Sequence, residues 1–186
     1  IVDYWKNTPD ADKNKDGVLQ YVMLEGEPGH QDAILRTEYS IKAIEEAGIK
    51  VEKLASDTGN WQRAQGQEKM AAWLSAFGDK IEVVFGNNDD MALGAIEALK
   101  AAGYFQGEKY MPVVGVDATA PALDSLDDDK LLGTVLNDAK GQGNAILEIA
   151  YALANEKDPE LEGLTDGKYK WVPYQPVTKE NMDQFK

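Results

Sequence analysis

The chain has 186 residues, a formal net charge of −14, 43% apolar and 28% charged residues, one His and no Cys. That is enough chain for one good-sized domain with a real hydrophobic core, and the composition is globular rather than disordered. The acidity disfavours nucleic acid and anionic membrane as partners. The missing Cys excludes disulfides, thiolate nucleophiles and Cys-based zinc sites, and a single His excludes a multi-histidine metal centre.

The chain opens with "IVDYWK", which looks like the last turns of a helix with no cap before it. The expectation is a processed product or a fragment. No run approaches membrane-spanning length and no signal-peptide pattern is present. "VLQYVMLEG" then reads as a strand. A helix is expected over 31–47, with Ile34, Ile41 and Ile44 near helical spacing and Gly48 as a stop. "VEKLAS" is a second strand, and 62–77 a helix with a Met70, Trp73, Leu74, Phe77 stripe. The strand "IEVVFG", a helix over 89–102 ending at Gly103 and the strand "MPVVGVD" follow. Next come a short helix near 120–128, the strand "LLGTVLN" and a long helix from Asp138 to about Asn155. After a polar connection at 155–168, "YKWVPYQPV" is strand-like and "KENMDQF" a last short helix.

Strands alternating with helices predict an α/β fold: a doubly wound parallel sheet flanked by helices on both faces. In such sheets ligands bind beyond the carboxyl ends of the strands. Those ends are "GEPGHQD", "DTGNW", "GNND", "GVDA" and "LND". Taken singly, Asn88, Asp89, Asp117 and Asp138 read as helix caps. Trp61, in a polar loop, and His30, ahead of its helix, do not fit that account. Arg36 follows Asp32 by four residues, so both point the same way; as a surface pair that spacing is worth only ~0.3 kcal/mol. Together these residues form one polar rim. It has no glycine-rich phosphate loop and no nucleophile elbow. Vicinal sugar hydroxyls suit the planar groups of Asp, Asn and Arg, and a pyranose face suits Trp. A pair of carboxylates for glycoside hydrolysis remains an alternative in so acidic a chain.

At the opposite strand ends, "DKNKDGVLQ" begins like a calcium loop, with Asp12, Asn14 and Asp16 at positions 1, 3 and 5 and Gly17 at 6. Position 12 is Met23, however, and a strand follows where an EF-hand continues as a helix. In "IEVVFG", Ile81, Val83 and Phe85 alternate to one side and Glu82 lies on the other with Val84. A carboxylate there is costly unless compensated. In the strand order 2-1-3-4-5 the first and third strands are neighbours, so Glu82 reaches the loop. With Asp12, Asn14, Asp16, the Val18 carbonyl and Gln20 it supplies about seven oxygens, a normal calcium shell.

The motifs "DKNKDGVLQYVMLEGEPGHQDA", "KIEVVFGNNDDMALGAIEALK", "VVGVDA" and "GTVLNDA" make the chain resemble the periplasmic D-galactose/D-glucose-binding proteins that serve ABC transporters and chemotaxis. The likeness covers nearly the whole chain but only the C-terminal part of that family. It implies calcium ligands at Asp12, Asn14, Asp16, Val18, Gln20 and Glu82. It also implies hydrogen bonds to sugar oxygens from His30, Asp32, Arg36, Asn88 and Asp117, stacking by Trp61, and a contact from Asn137. The implied partners are galactose or glucose, an ABC-transporter permease and, for chemotaxis, a chemoreceptor, in the periplasm or on a surface lipoprotein.

By the same resemblance, residues 1–138 and about 175–186 form the C-terminal lobe, and 139–174 belong to an absent N-terminal lobe. The helix around Ile146, Leu147, Ile149, Ala150 and Leu153 then has no sheet to cover. It is expected to repack, to pair with another copy or to be disordered. The sugar-sensing domain of a LacI-type repressor and a carbohydrate-active enzyme are the competing readings. The choice between galactose and glucose stays open.

Overall fold

The apolar run "VLQYVMLE" becomes β1 (Val18–Glu25), whose six central residues are all buried. Its side chains divide by parity, as a strand buried on both faces requires. Leu19, Tyr21 and Met23 pack on one side, and Val22 and Leu24 on the other. The computed structural model describes residues 1–155 and 164–186. Around β1 lie β2 (Lys50–Thr58), β3 (Val83–Gly86) and β4 (Val113–Val114), in the order β2-β1-β3-β4 with every pairing parallel. Parallel bridges from Val114 to Gly133 and from Asp117 to Leu136 carry the order on toward β5 (Thr134–Leu136). The predicted order 2-1-3-4-5 is therefore seen, its last strand joined by single bridges.

One face is covered by α1 (Val2–Asn7) and α2 (Gln31–Glu46), through Val2, Trp5, Ile41 and Ile44. The other is covered by α3 (Arg63–Phe77), α4 (Asp89–Ala101) and α5 (Ala120–Asp127). The α3 stripe behaves as expected: Met70 and Trp73 are buried, and Leu74 and Phe77 pack against them. On α2 only part of the predicted stripe is core, since Ile44 is buried but Ile34 lies exposed.

Four strand expectations need correction. Glu82 and Ile81 precede β3 rather than open it, and Ile81 packs with Val84, not with Val83 and Phe85. The cause is the 3₁₀ turn Gly78–Lys80 just before, which breaks the alternation. "MPVVGVD" and "LLGTVLN" contribute only two and three strand residues. Of "YKWVPYQPV", only β6 (Gln175–Val177) is a strand, and it pairs antiparallel with β5. The last segment is a 3₁₀ turn at Met182–Gln184. Between β5 and β6 stands α6 (Ala139–Ala154), which buries only Ala145 and Ala152 and exposes Ile146, Leu147, Tyr151 and Leu153. Residues 156–163, part of the polar connection, lie outside the described residues.

Helices α3 and α4 cross at two glycines. A Cβ on Gly94 would lie 2.0 Å from the carbonyl oxygen of Arg63, and one on Gly66 would lie 2.4 Å from that of Met91. Backbone cannot give way as a flexible side chain can. Gly94→Ala and Gly66→Ala should each lower stability by ~1–3 kcal/mol. Gly143→Ala on α6, where nothing lies within 4 Å, should raise it by up to about 1 kcal/mol. Urea denaturation midpoints check all three.

Candidate functional site

The parallel sheet puts two groups of side chains at opposite ends of the strands. At the amino ends, the loop before β1 turns through left-handed Lys15 (φ 61°) and Gly17 (φ 75°). Asp12 holds the turn, accepting from the N–H of Asp16 (3.2 Å) and of Gly17 (2.8 Å). Asn14 Oδ1 accepts from Asp16 N (3.0 Å), and Asp16 accepts from Val18 N (2.8 Å) and Gln20 Nε2 (2.9 Å). The long-range contact expected of Glu82 is present. Its two oxygens accept from the backbone N–H groups of Lys13 (2.7 Å) and Gln20 (3.0 Å).

Glu82 is 1% exposed. Burial pushes its carboxyl up, and the N–H groups of Gln20 and Lys13 oppose the shift. Lys13 Nζ donates to the carbonyl of Ile81 (2.6 Å). Among the described residues no group of three or more His, Cys, Asp or Glu side chains is placed to hold a metal ion. The loop's other donors are amide and carbonyl oxygens, the ligand types a hard cation takes. Asn14 and Gln20 both turn their NH₂ groups toward Asp16 Oδ2, and an amide that turns over presents its oxygen instead.

At the carboxyl ends, Arg36 is the hub. Its Nη2 donates to Asp32 Oδ2 (3.2 Å) and Tyr174 Oη (3.0 Å), and its Nη1 to the Asn87 carbonyl (2.9 Å). Nη1 also lies 3.9 Å from Asp117 Oδ1. The guanidinium carbon stands 5.7 Å from the Trp61 ring centroid and 5.8 Å from that of Tyr174, within cation–π range. The side chain is 13% exposed, so it is an inner element of the rim rather than a surface i,i+4 partner.

The other predicted residues join this hub. His30 caps α2, its Nδ1 accepting from Asp32 N (3.2 Å), and its ring meets Trp61 edge-on at 5.2 Å. Trp61 lies against bare backbone, since a Cβ on Gly26 would fall 2.1 Å from its ring. Asn88 does cap α4, accepting from Met91 N (3.0 Å), and its Nδ2 reaches the Trp61 carbonyl (3.2 Å). Asn137 Nδ2 donates to Asp117 Oδ1 (3.4 Å). All seven rim residues thus form one connected group, and two of them, Asp117 and Asn137, border a cleft of about 670 Å³ that Lys140 and Phe185 also line. The group brings planar carboxylate, amide and guanidinium groups together with an indole.

Three contributors lie outside the predicted set. Asn87 Oδ1 accepts from Gly26 N (3.0 Å) and Thr37 Oγ1 (3.2 Å) and so joins the β1 and β3 ends to α2. Asp89, read from the sequence as a cap, is not one: Asn88 does that work, and Asp89 is fully buried. Tyr174 arrives from the far end of the chain and had no local signal. Backbone strain also gathers here. Asn60 and Trp61 (φ 48° and 65°) and Asp117 and Ala118 (φ 128° and 55°) are consecutive left-handed pairs without glycine. Each such residue costs about 1–3 kcal/mol and persists only where its surroundings impose it.

The sequence matches the family of the periplasmic binding protein domain over residues 3–158. It is 43% identical to the D-galactose/methyl-galactoside binding periplasmic protein of Haemophilus influenzae, over all of this chain and 55% of that one. It is 34% identical to the xylitol-binding protein of Mycolicibacterium smegmatis, over 87% of this chain and 43% of that one. An ABC transporter solute binding protein of Bacillus halodurans, solved with myo-inositol, superposes with a TM-score of 0.77 at 35% identity, covering 93% of this chain and 56% of the other. The chain spans about half the length of the curated relatives it matches. They are named for binding, not for catalysis. Among the described residues no helix is long and apolar enough to cross a membrane.

Burial raises the carboxyls of Asp89 and Asp117. Hydrogen bonds from Thr134 and Thr119 oppose the rise at Asp89, and Asn137 and Arg36 oppose it at Asp117. The folded chain therefore holds these protons more tightly than the unfolded chain. Their stabilising contribution is complete below about pH 4 and is lost as pH rises through the raised values. Asp89→Asn removes one titration, so its urea midpoint should gain on the parent's as pH rises above about 4. A difference that does not change with pH would contradict the assigned cause.

Proposed function

The chain belongs to the family of the periplasmic binding protein domain, and from that premise we propose that its rim is one half of a monosaccharide site. The parent protein then binds galactose or glucose outside the cytoplasm and delivers it to an ABC-transporter permease, with a chemoreceptor as a second client. The observation that carries this reading is the convergence of Asp32, Trp61 and Asp117 on the mostly buried Arg36, with His30 against Trp61. Planar charged and amide groups match vicinal hydroxyls in pairs, and the indole offers a pyranose its apolar face. Galactose is favoured by the Haemophilus relative, although others are named for xylitol and for ribose.

The same reading assigns residues 139–174 to a second lobe that closes over the sugar. It is supported by the exposed Ile146, Leu147, Tyr151 and Leu153 of α6 and by the exposed, stacked Tyr169 and Trp171. With one lobe alone, sugar contacts are halved and binding should be weak. Titration calorimetry with galactose and glucose tests this, and tight binding by this chain would contradict the two-lobe reading.

Calcium is proposed as a structural ion at the other end of the strands. Asp12, Asn14, Asp16, the Val18 carbonyl, Gln20 and Glu82 would hold it. It would neutralise Glu82 and pin the loop to β1. At a concentration of about 100 Kd it should add about 2.7 kcal/mol of stability, which for a domain of this size is roughly 5–10 °C in Tm. Galactose should shift Tm far less. Glu82→Gln should abolish the calcium shift and leave the galactose titration unchanged, and a calcium shift that survives in that variant would remove Glu82 from the site.

A further inference from the structure

The carboxylate of Asp89 is 0% exposed and has no lysine or arginine partner among the described ion pairs. It is not spent on its own helix either, because Asn88 caps α4. Its bonds go to two other segments. Oδ2 accepts from Thr119 N (2.8 Å) and Thr119 Oγ1 (3.3 Å), and Oδ1 accepts from Thr134 Oγ1 (2.6 Å). Thr134 Oγ1 in turn accepts from Ala118 N (3.3 Å). The carboxylate also lies on bare backbone, since a Cβ on Gly115 would meet Oδ1 at 2.4 Å.

These bonds enclose the two left-handed residues of the rim. Asp117 and Ala118 lie between Gly115, which touches Asp89, and Thr119, which donates to it. A turn of two strained, non-glycine residues needs something that over-determines it. A buried acceptor that takes the next amide, and the hydroxyl that takes the amide of Ala118, is such a device. We propose that Asp89 is a positioning residue for sugar recognition: it locks the Asp117–Ala118 turn, and through Asp117 it sets the place of Asn137. Asp89 itself touches no ligand. This rests on the monosaccharide reading of the rim, and it adds a residue to it that acts from beneath.

The test uses the 186-residue chain and two independent readouts. Amide hydrogen exchange needs no ligand. Asp89→Asn, and Thr134→Val as a variant that keeps the side-chain shape, should each speed exchange at Ala118 and Thr119 by about tenfold or more. The amides of Val84 and Met91 should stay protected. Nuclear magnetic resonance titration with D-galactose supplies the second arm. Either variant should weaken binding about tenfold with Asp117 present and have no further effect in an Asp117→Ala background. Losses that simply add in that background, or unchanged exchange at Thr119, would overturn the proposal. If the parent chain shows no shift with galactose, the sugar reading fails, and the exchange arm still decides whether Asp89 holds the turn. If Asp89→Asn does not fold, Thr134→Val decides both arms.

Discussion

The parallel pairing of β1 with β3, from Tyr21 opposite Val83 to Leu24 opposite Gly86, is the constraint on which the rest depends. It is buried on both faces, so a shift of one residue would exchange the side chains of Leu19, Tyr21 and Met23 with those of Val22 and Leu24. Because that register is fixed, both ends of the strands are fixed with it. At one end Glu82 meets Lys13 and Gln20. At the other, Asn87 meets Gly26 and Arg36. The loop site and the rim are thus two consequences of one ladder of hydrogen bonds, separated by the length of a strand.

The rim is organised from beneath. Arg36 carries a nearly buried charge, which is costly unless several acceptors surround it. Asp32, the Asn87 carbonyl, Tyr174 and Asp117 are those acceptors, drawn from four separate stretches of chain. Glycine decides how closely the parts approach. Gly26 leaves room for the Trp61 ring and Gly115 for the Asp89 carboxylate. The left-handed pairs at Asn60–Trp61 and Asp117–Ala118 are held in a conformation that each residue alone would avoid. Strain at the rim is offset by the regular packing of α3 and α4 below it.

Much of this was legible in the residues. The existence of β1, the Met70 and Trp73 stripe and the helix boundaries at Gln31 and Asp89 follow from composition, period and turn chemistry. The contact of Glu82 with the loop followed from strand order and from the cost of a buried carboxylate. Elsewhere local pattern was insufficient. "MPVVGVD" has a strand's composition, yet only Val113 and Val114 are regular: β3 pairs with those two alone, and left-handed Asp117 ends the run. Asp89 and Asn88 are adjacent and chemically alike, so the sequence alone does not distinguish the one that caps from the one that is buried. Tyr174 reaches Arg36 across 138 positions, and no periodicity encodes that contact.

What the sequence determined by itself was the set of possible partners and chemistries. An acidic, cysteine-free, single-histidine chain of alternating strands and helices has no thiolate or multi-histidine chemistry and offers mainly oxygen and amide groups at the strand ends. Periodicity and turn residues are local properties, so they are written in consecutive residues. What only the tertiary structure decided was which polar side chains gather at the rim, which support them from beneath and which are buried. Those roles depend on approach distances between distant segments. A glycine so close under an indole that a Cβ would fall 2.1 Å from the ring, or a threonine hydroxyl 2.6 Å from a carboxylate, exists only once the sheet has brought them together.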